Sequence, residues 1–264
     1  ADNLGARNTA LSREVKAVHG QNNAAGVGSI VHAIAKDLAD RTLDPETDAP
    51  DFDTMVGHLK DVWPRLEHES DWQSEREFER VTAMIERLDL WQQADMRTLV
   101  AAEYPIEVAL DSDDDSVQLI GSIDRLEQHL ETGALQVVDF KTGKSYPSAQ
   151  GIKEHAQLGF YQIAIDRGAA SQLEVDGVPV GDAPVGGAEL VHLAVHKGTR
   201  EPALPRVSQQ EALNEESLAL EQIRHAVEVI RSEQHPATPC SACTYCDFRS
   251  VCPTTSEPTM GGQA

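Results

Sequence analysis

Gly121-Ser122-Ile123-Asp124-Arg125, followed downstream by Val137-Val138-Asp139-Phe140-Lys141-Thr142-Gly143-Lys144, is the part of the chain whose reading decides the fold. Residues 117–126 (VQLIGSIDRL) and 134–141 (ALQVVDFK) are β-branched and apolar, and a short polar connection with Gly133 near its end joins them. This pattern predicts two strands paired as a hairpin. Side chains alternate faces along a strand, so Asp139 and Lys141 point the same way, and Asp124 can reach that face from the neighbouring strand. Two carboxylates and an ammonium therefore converge on one spot.

Converging carboxylates repel one another unless a divalent cation neutralises them, and hard oxygen ligands favour Mg²⁺ or Mn²⁺. An ion held there can bind a phosphate oxygen and lower the pKa of an attacking water. Lys141 completes such a site by orienting that water or by stabilising charge that builds on the phosphorus oxygens. A lone D-x-K is more often an exposed strand ion pair. Here the acid after G-x-I, the apolar run entering the second acid and the Thr-Gly exit all agree.

These residues resemble the PD-(D/E)XK nuclease superfamily, and within it the RecB-like branch, whose members carry G-x-I-D-R followed by D-x-K-T-G. Further segments match that branch in order. Gly28-Ser29-Ile30-Val31-His32 resembles its helix motif, in which the histidine is a metal ligand. Gln157-Leu158-Gly159-Phe160-Tyr161 resembles its Q-x-x-x-Y helix motif, and Cys243-Thr244-Tyr245-Cys246-Asp247-Phe248-Arg249-Ser250-Val251-Cys252 resembles the cysteine tail of members with an iron-sulfur cluster. The resemblance covers roughly residues 26–253. It implies Lys141, Asp124, Asp139, Gln157 and Tyr161 as the catalytic group and His32, Asp124, Asp139 and Phe140 as the metal set. It also implies an α/β fold with a restriction-endonuclease-like core: a helix, a three-strand meander, a helix and a strand, with added N-terminal helices and a C-terminal cysteine tail.

Each outlying segment has a plainer reading. Val27, Val31, Ile34, Ala35 and Leu38 form an apolar helical stripe, and a histidine beside such a stripe is by itself more often packed or surface-exposed than a ligand. Gln157 and Tyr161 lie at i and i+4 on one helix face, where they could contact a phosphate or position the lysine, or be ordinary surface. Gly143-Lys144-Ser145 imitates the end of a phosphate-binding P-loop, but that motif needs glycine where the chain has Val138, so no ATP site is expected. Asp111-Ser112-Asp113-Asp114-Asp115 imitates the start of a calcium loop, yet Ser116 and Ser122 stand where glycine and glutamate are required. It is read as a solvated turn.

The chain has 264 residues with 22 Lys and Arg against 44 Asp and Glu, a formal net charge of -22. Such an excess opposes non-specific DNA binding, since duplex affinity comes largely from cations neutralising phosphates. Either basic side chains gather near the site or another polypeptide delivers the DNA. No apolar run is long enough to span a membrane. The chain starts at Ala1 without a charged-then-apolar leader, and it reads as an excised piece of a longer protein.

The whole of 1–264 reads as one nuclease domain. Residues 1–25 are a loose N-terminal segment, 26–100 a helical part carrying the histidine motif, 101–200 the catalytic core, 201–253 a helix and the cysteine tail, and 254–264 a loose end. Within these, helices are expected at 27–42, at about 54–100 with a break near Pro64, at 152–168 and at 208–233. A loop is expected at 44–53. Strands are expected at 103–110, 117–126, 134–141 and 188–196, the last after a Gly/Pro/Asp-rich insertion at 176–187. Trp63, Trp72, Phe78, Met84, Ile85, Leu88 and Trp91 are the expected packing residues of the helical part.

Four cysteines, Cys240, Cys243, Cys246 and Cys252, crowd into one segment, which suits metal binding in a reducing cytoplasm better than a disulfide framework. The C-x2-C-x2-C-x5-C spacing is compact in the manner of 4Fe-4S ligation, whereas zinc more often uses two separated knuckles. In the resembling family a fourth cysteine lies upstream of the histidine motif, and this chain has none there. Either Cys240 completes the set, or the tail holds three ligands and one bystander; zinc and free thiols are the alternatives.

The resemblance thus implies a Mg²⁺- or Mn²⁺-dependent DNA exonuclease, the C-terminal nuclease of a bacterial RecB, AddB or AdnB kind of helicase-nuclease that resects double-strand breaks for recombinational repair. Its partners would be DNA, single-stranded, together with a helicase motor in the same chain and a partner subunit, and no membrane. The alternatives are a free-standing CRISPR-associated RecB-like exonuclease and a non-cutting DNA-binding scaffold module.

Overall fold

A computed structural model of the chain describes residues 23–43, 51–66, 70–111, 114–198, 203–214, 217–232, 237–240, 243–244, 246–249 and 251–254. The expectations for residues 1–22 and 255–264, and for most of the 44–53 loop, lie outside the described residues. The chain divides into two compact units, Ala1–Leu220 and Glu221–Ala264. Among the described residues no helix is long and apolar enough to cross a membrane.

The first unit is a five-stranded mixed sheet of order β1-β2-β3-β6-β7 with helices on both faces. Its strands are β1 (Thr98–Asp111), β2 (Asp114–Gln128), β3 (Leu135–Lys141), β6 (Val185–His196) and β7 (Pro205–Glu211). The helices are α1 (Asn23–Leu43), α2 (Phe52–Val62), α3 (Asp71–Ala94), α4 (Ala149–Lys153) and α5 (Ala156–Asp166), and α6 (Ala219–Arg231) follows β7. The insertion carries a two-stranded ribbon, β4 (Glu174–Val175) with β5 (Val178–Pro179). The α/β core of helix, three-strand meander, helix and strand is present, with β7 added at its edge.

β3 is the hinge of the architecture. It pairs antiparallel with β2 and parallel with β6, and all but its last residue are buried. Coverage on both faces explains why its sequence is a nearly continuous apolar run. One face meets α1, α2 and α3: Ile30, Val31, Ile34 and Leu38 of α1, spaced at helical intervals, pack with Met55, Leu59, Val81, Met84, Ile85 and Leu88 against Val138, Phe140, Val191 and Leu193. Asp139 and Lys141 alternate onto the other face, which α4 and α5 cover. Ser70 and Asp51 start α3 and α2 by accepting the backbone N–H groups of Gln73 and Thr54.

Several expected boundaries move, each for a visible reason. The expected helix 54–100 breaks at a 3-10 turn, Trp63–Arg65, with Pro64 inside it, and the later helix ends at Ala94. There Asp95 turns extended and accepts the backbone N–H of Arg97, so 98–100 belong to β1. The expected helix 152–168 is two helices. His155 caps the second with its ring nitrogen, and Gln210 Nε2 donates to the carbonyls of Ile152, Lys153 and His155 at the junction. The expected helix 208–233 is wrong at its start, because 205–211 pair with β6 as an edge strand and α6 begins only at Ala219. Trp72 is also no packing residue; it is 64% exposed, with Arg76 stacked on its ring.

Arg125, the last residue of the 121–125 motif, does not point toward the acids. Its guanidinium stacks on Trp91 and pairs with Glu127, while Arg97 bridges Glu127 and Glu189 at 2.9 and 2.6 Å. This buried network ties β1, β2 and β6 together. Burial pushes the Glu127 carboxyl up to about 7, against the pull of Arg125.

Candidate metal centre and active site

β2 and β3 pair only as far as Arg125 and Val138 and then diverge. Asp124 spans the opening by accepting the Phe140 backbone N–H at 2.8 Å through Oδ2, which leaves Oδ1 turned to His32 Nδ1 at 3.5 Å. His32 reaches this point from α1, its ring edge-on to Phe140. The same imidazole nitrogen lies 3.7 Å from Glu103 Oε1. His32, Glu103 and Asp124 each offer a ligand atom, and these atoms all lie within 4.8 Å of one another. All three side chains are partly exposed, so water or substrate oxygen has access.

Glu103 is the residue that reading the sequence missed. It stands on β1 between Ala102 and Tyr104, which pair with Arg125 and Ile123, so it lies across from Asp124. Its φ of 44° is a left-handed conformation that a non-glycine residue rarely adopts. Counting the β1–β2 register from the hairpin at Asp111 and Asp114 was the available signal, although a register shift near Ala109 would have displaced a simple count.

Asp139 does not join that cluster of three. Its Oδ2 lies 2.7 Å from Lys141 Nζ, and Lys141 also donates to Gln157 Oε1 at 2.9 Å. Gln157 in turn donates from Nε2 to the Tyr161 hydroxyl at 3.1 Å. The two residues at i and i+4 on α5 thus form a chain that holds the ammonium. The Phe140 ring is buried in the core with its edge against His32, and the residue's main-chain N–H is the group it offers to Asp124. Gly121 leaves room for the Phe160 ring; a Cβ there would come within 3.2 Å of it.

The electrostatics are those of an anion cluster short of positive charge. Burial, and then the neighbouring Asp124 charge, push the Asp139 carboxyl up to about 6 in spite of Lys141. Burial opposes protonation of His32, but Asp124 and Glu103 outweigh it and raise the imidazole to about 10. A proton on His32 thus occupies the place a cation would take. One imidazole nitrogen with two carboxylates, and a third carboxylate within electrostatic reach, is a donor set that suits a divalent cation.

In the second unit, Cys240 and Cys243 place their sulfurs 3.9 Å apart, and Cys252 Sγ contacts Thr254 Oγ1 at 3.1 Å. None of the four cysteines forms a disulfide. Among the described residues no three cysteine sulfurs come together closely enough to hold a single ion.

The profile of the PD-(D/E)XK nuclease superfamily matches residues 6–253. A search of curated proteins returns no match.

Proposed function

The chain belongs to the PD-(D/E)XK nuclease superfamily, and on that premise we propose that it is a Mg²⁺- or Mn²⁺-dependent deoxyribonuclease, an exonuclease of the RecB-like branch. The observation that carries this reading is the meeting of His32, Glu103 and Asp124 beside the Asp139–Lys141 pair. His32, Glu103 and Asp124 would hold the ion, with Asp139 and the Phe140 main chain at its margin. A divalent ion there supplies Lewis acidity toward a phosphate oxygen and eases deprotonation of an attacking water. Lys141, held by Gln157 and Tyr161, faces the negative charge that develops on the phosphorus oxygens.

The order of the five sequence motifs supports a role as the nuclease of a bacterial helicase-nuclease that processes broken DNA ends. In that setting a motor in the same polypeptide and a partner subunit would feed an unwound single strand to a domain whose own charge disfavours capture of duplex. Cys243, Cys246 and Cys252, with Cys240, would carry a 4Fe-4S cluster in a reducing cytoplasm and act in stability rather than in cleavage.

Cleavage of a labelled oligonucleotide should require Mn²⁺ or Mg²⁺ and stop with EDTA. Lys141→Ala should lower the rate about a hundredfold or more with folding retained. Undiminished cleavage by folded Lys141→Ala would remove the assignment.

A further inference from the structure

Lys141 is the first member of a row that crosses three strands. It stands beside His192 on β6, and His192 stands beside Arg206 on β7. Cross-strand neighbours share a face, so all three belong to the face that carries Asp139. Adjacent strands lie about 4.8 Å apart, which puts Arg206 roughly 10 Å along the sheet from the lysine. The segment leaving β3 returns over this row. Tyr146 packs edge-on to His192 with ring centroids 6.1 Å apart, and the Arg206 guanidinium lies 3.9 Å from the Tyr146 ring centroid.

Two features of this arrangement bear on what it can bind. First, a tyrosine 48% exposed and stacked with an exposed guanidinium is a flat, cationic surface open to solvent. Secondly, acids outnumber bases two to one, 44 to 22, yet among the described residues Arg206, Lys144 and Lys153 make no ion pair. Lys144 lies in the same segment as Tyr146, and the Lys153 carbonyl is bound by Gln210 of β7, so both flank the row. His192 is pinned beneath Tyr146 by its Nε2 contact with Ser208 Oγ at 3.1 Å. Burial, then the Arg206 and Lys141 charges, hold it below the usual histidine range, so it serves as a neutral support between two cations. A surface of this kind matches unpaired nucleic acid: bases stack on aromatic rings and on guanidinium planes, and the cations contact phosphates.

We propose that Tyr146 and Arg206 form a binding site for the DNA strand next to the scissile phosphate, the stacked pair receiving an unpaired base and Arg206 contacting an adjacent phosphate. A duplex keeps its bases stacked inside and cannot use the platform. The site therefore selects single strands. This rests on the nuclease reading for its substrate, but binding can be measured apart from cleavage.

The test measures fluorescence anisotropy of a labelled oligo(dT) strand with the full chain in EDTA at low salt, and then steady-state cleavage in Mn²⁺. Tyr146→Ala and Arg206→Ala should each weaken binding about tenfold and raise KM similarly with kcat little changed, while Tyr146→Phe keeps the wild-type affinity. Arg206→Ala should also lower the slope of log affinity against log salt by about 1. Equal strand binding by wild type and both variants overturns the proposal, as does a wild-type chain that binds no strand at low salt. Weakened binding by the variants together with no cleavage by any form upholds the binding site and removes the nuclease reading instead.

Discussion

Replacing Asp139 by asparagine should abolish metal-dependent cleavage and yet make the metal-free fold less sensitive to pH. The Asp139 carboxyl is almost fully buried, beside the Asp124 charge, and its pKa rises from 3.8 to about 6. A raised folded-state value means that the folded protein holds this proton while the unfolded chain has released it. The stabilisation is complete below 3.8, declines as pH rises through about 6, and is gone by neutral pH. A rise from 3.8 to about 6 corresponds to about 3 kcal/mol, a large share of the stability of a typical domain. Asparagine has no proton to lose. Urea unfolding in EDTA should then show wild-type stability falling relative to Asp139→Asn by about 2.4 kcal/mol between pH 4 and pH 7, most of the full change. His32 is present in both proteins, so its own titration largely cancels from the difference. Mn²⁺ at neutral pH should restore the wild type, by about 2.7 kcal/mol at a hundredfold excess over Kd, and restore the variant less. A difference between the two proteins that stays flat from pH 4 to pH 7 would refute the claim that Asp139 is a destabilised carboxylate awaiting a cation.

Glu103→Gln should weaken Mn²⁺ binding, read by calorimetry, by about tenfold or more while leaving the fold intact, because it removes one of three close ligand atoms; unchanged affinity would take Glu103 out of the ligand set. Anaerobic purification with iron and sulfide analysis should find a cluster that is lost in Cys243→Ser with cleavage preserved, and zinc in place of iron would overturn the iron-sulfur reading.

The hairpin around Asp124 and Asp139 was legible because its strands obey a period of two and its burial follows from local apolar runs. β6 was legible for the same reason, and α1 because its stripe repeats at helical spacing. What escaped depended on tertiary contacts. Pro205-Arg206-Val207-Ser208-Gln209-Gln210-Glu211 is polar and rich in residues that suit a helix, but at the sheet edge its polar side chains are absorbed: Gln210 by the α4–α5 junction and Ser208 by His192. Proline is tolerated at the first residue of an edge strand, so Pro205 carries no warning against it. Glu103 escaped because its role depends on a cross-strand partner and a rare backbone angle, neither of which is visible in a list of residue types.

The acid excess and a nucleic-acid substrate are compatible once the charge is placed rather than summed. Fields from exposed charges fade over about 8 to 10 Å at physiological ionic strength, so a strand approaching the sheet responds mainly to the groups it touches. Along the β3–β6–β7 row those groups are Lys141, Tyr146 and Arg206, with Lys144 and Lys153 at the side. At the other end lies the cluster of His32, Glu103 and Asp124, whose carboxylates oppose an approaching phosphate and whose charge a divalent ion would offset. The proposed metal and strand sites would thus share one short stretch of sheet. An ion held there would make a phosphate welcome beside Asp124, while the proposed Tyr146–Arg206 site would hold the neighbouring nucleotide with or without it. Remote acids then act chiefly on encounter with long duplex, which they disfavour, and little on a single strand already delivered to the row.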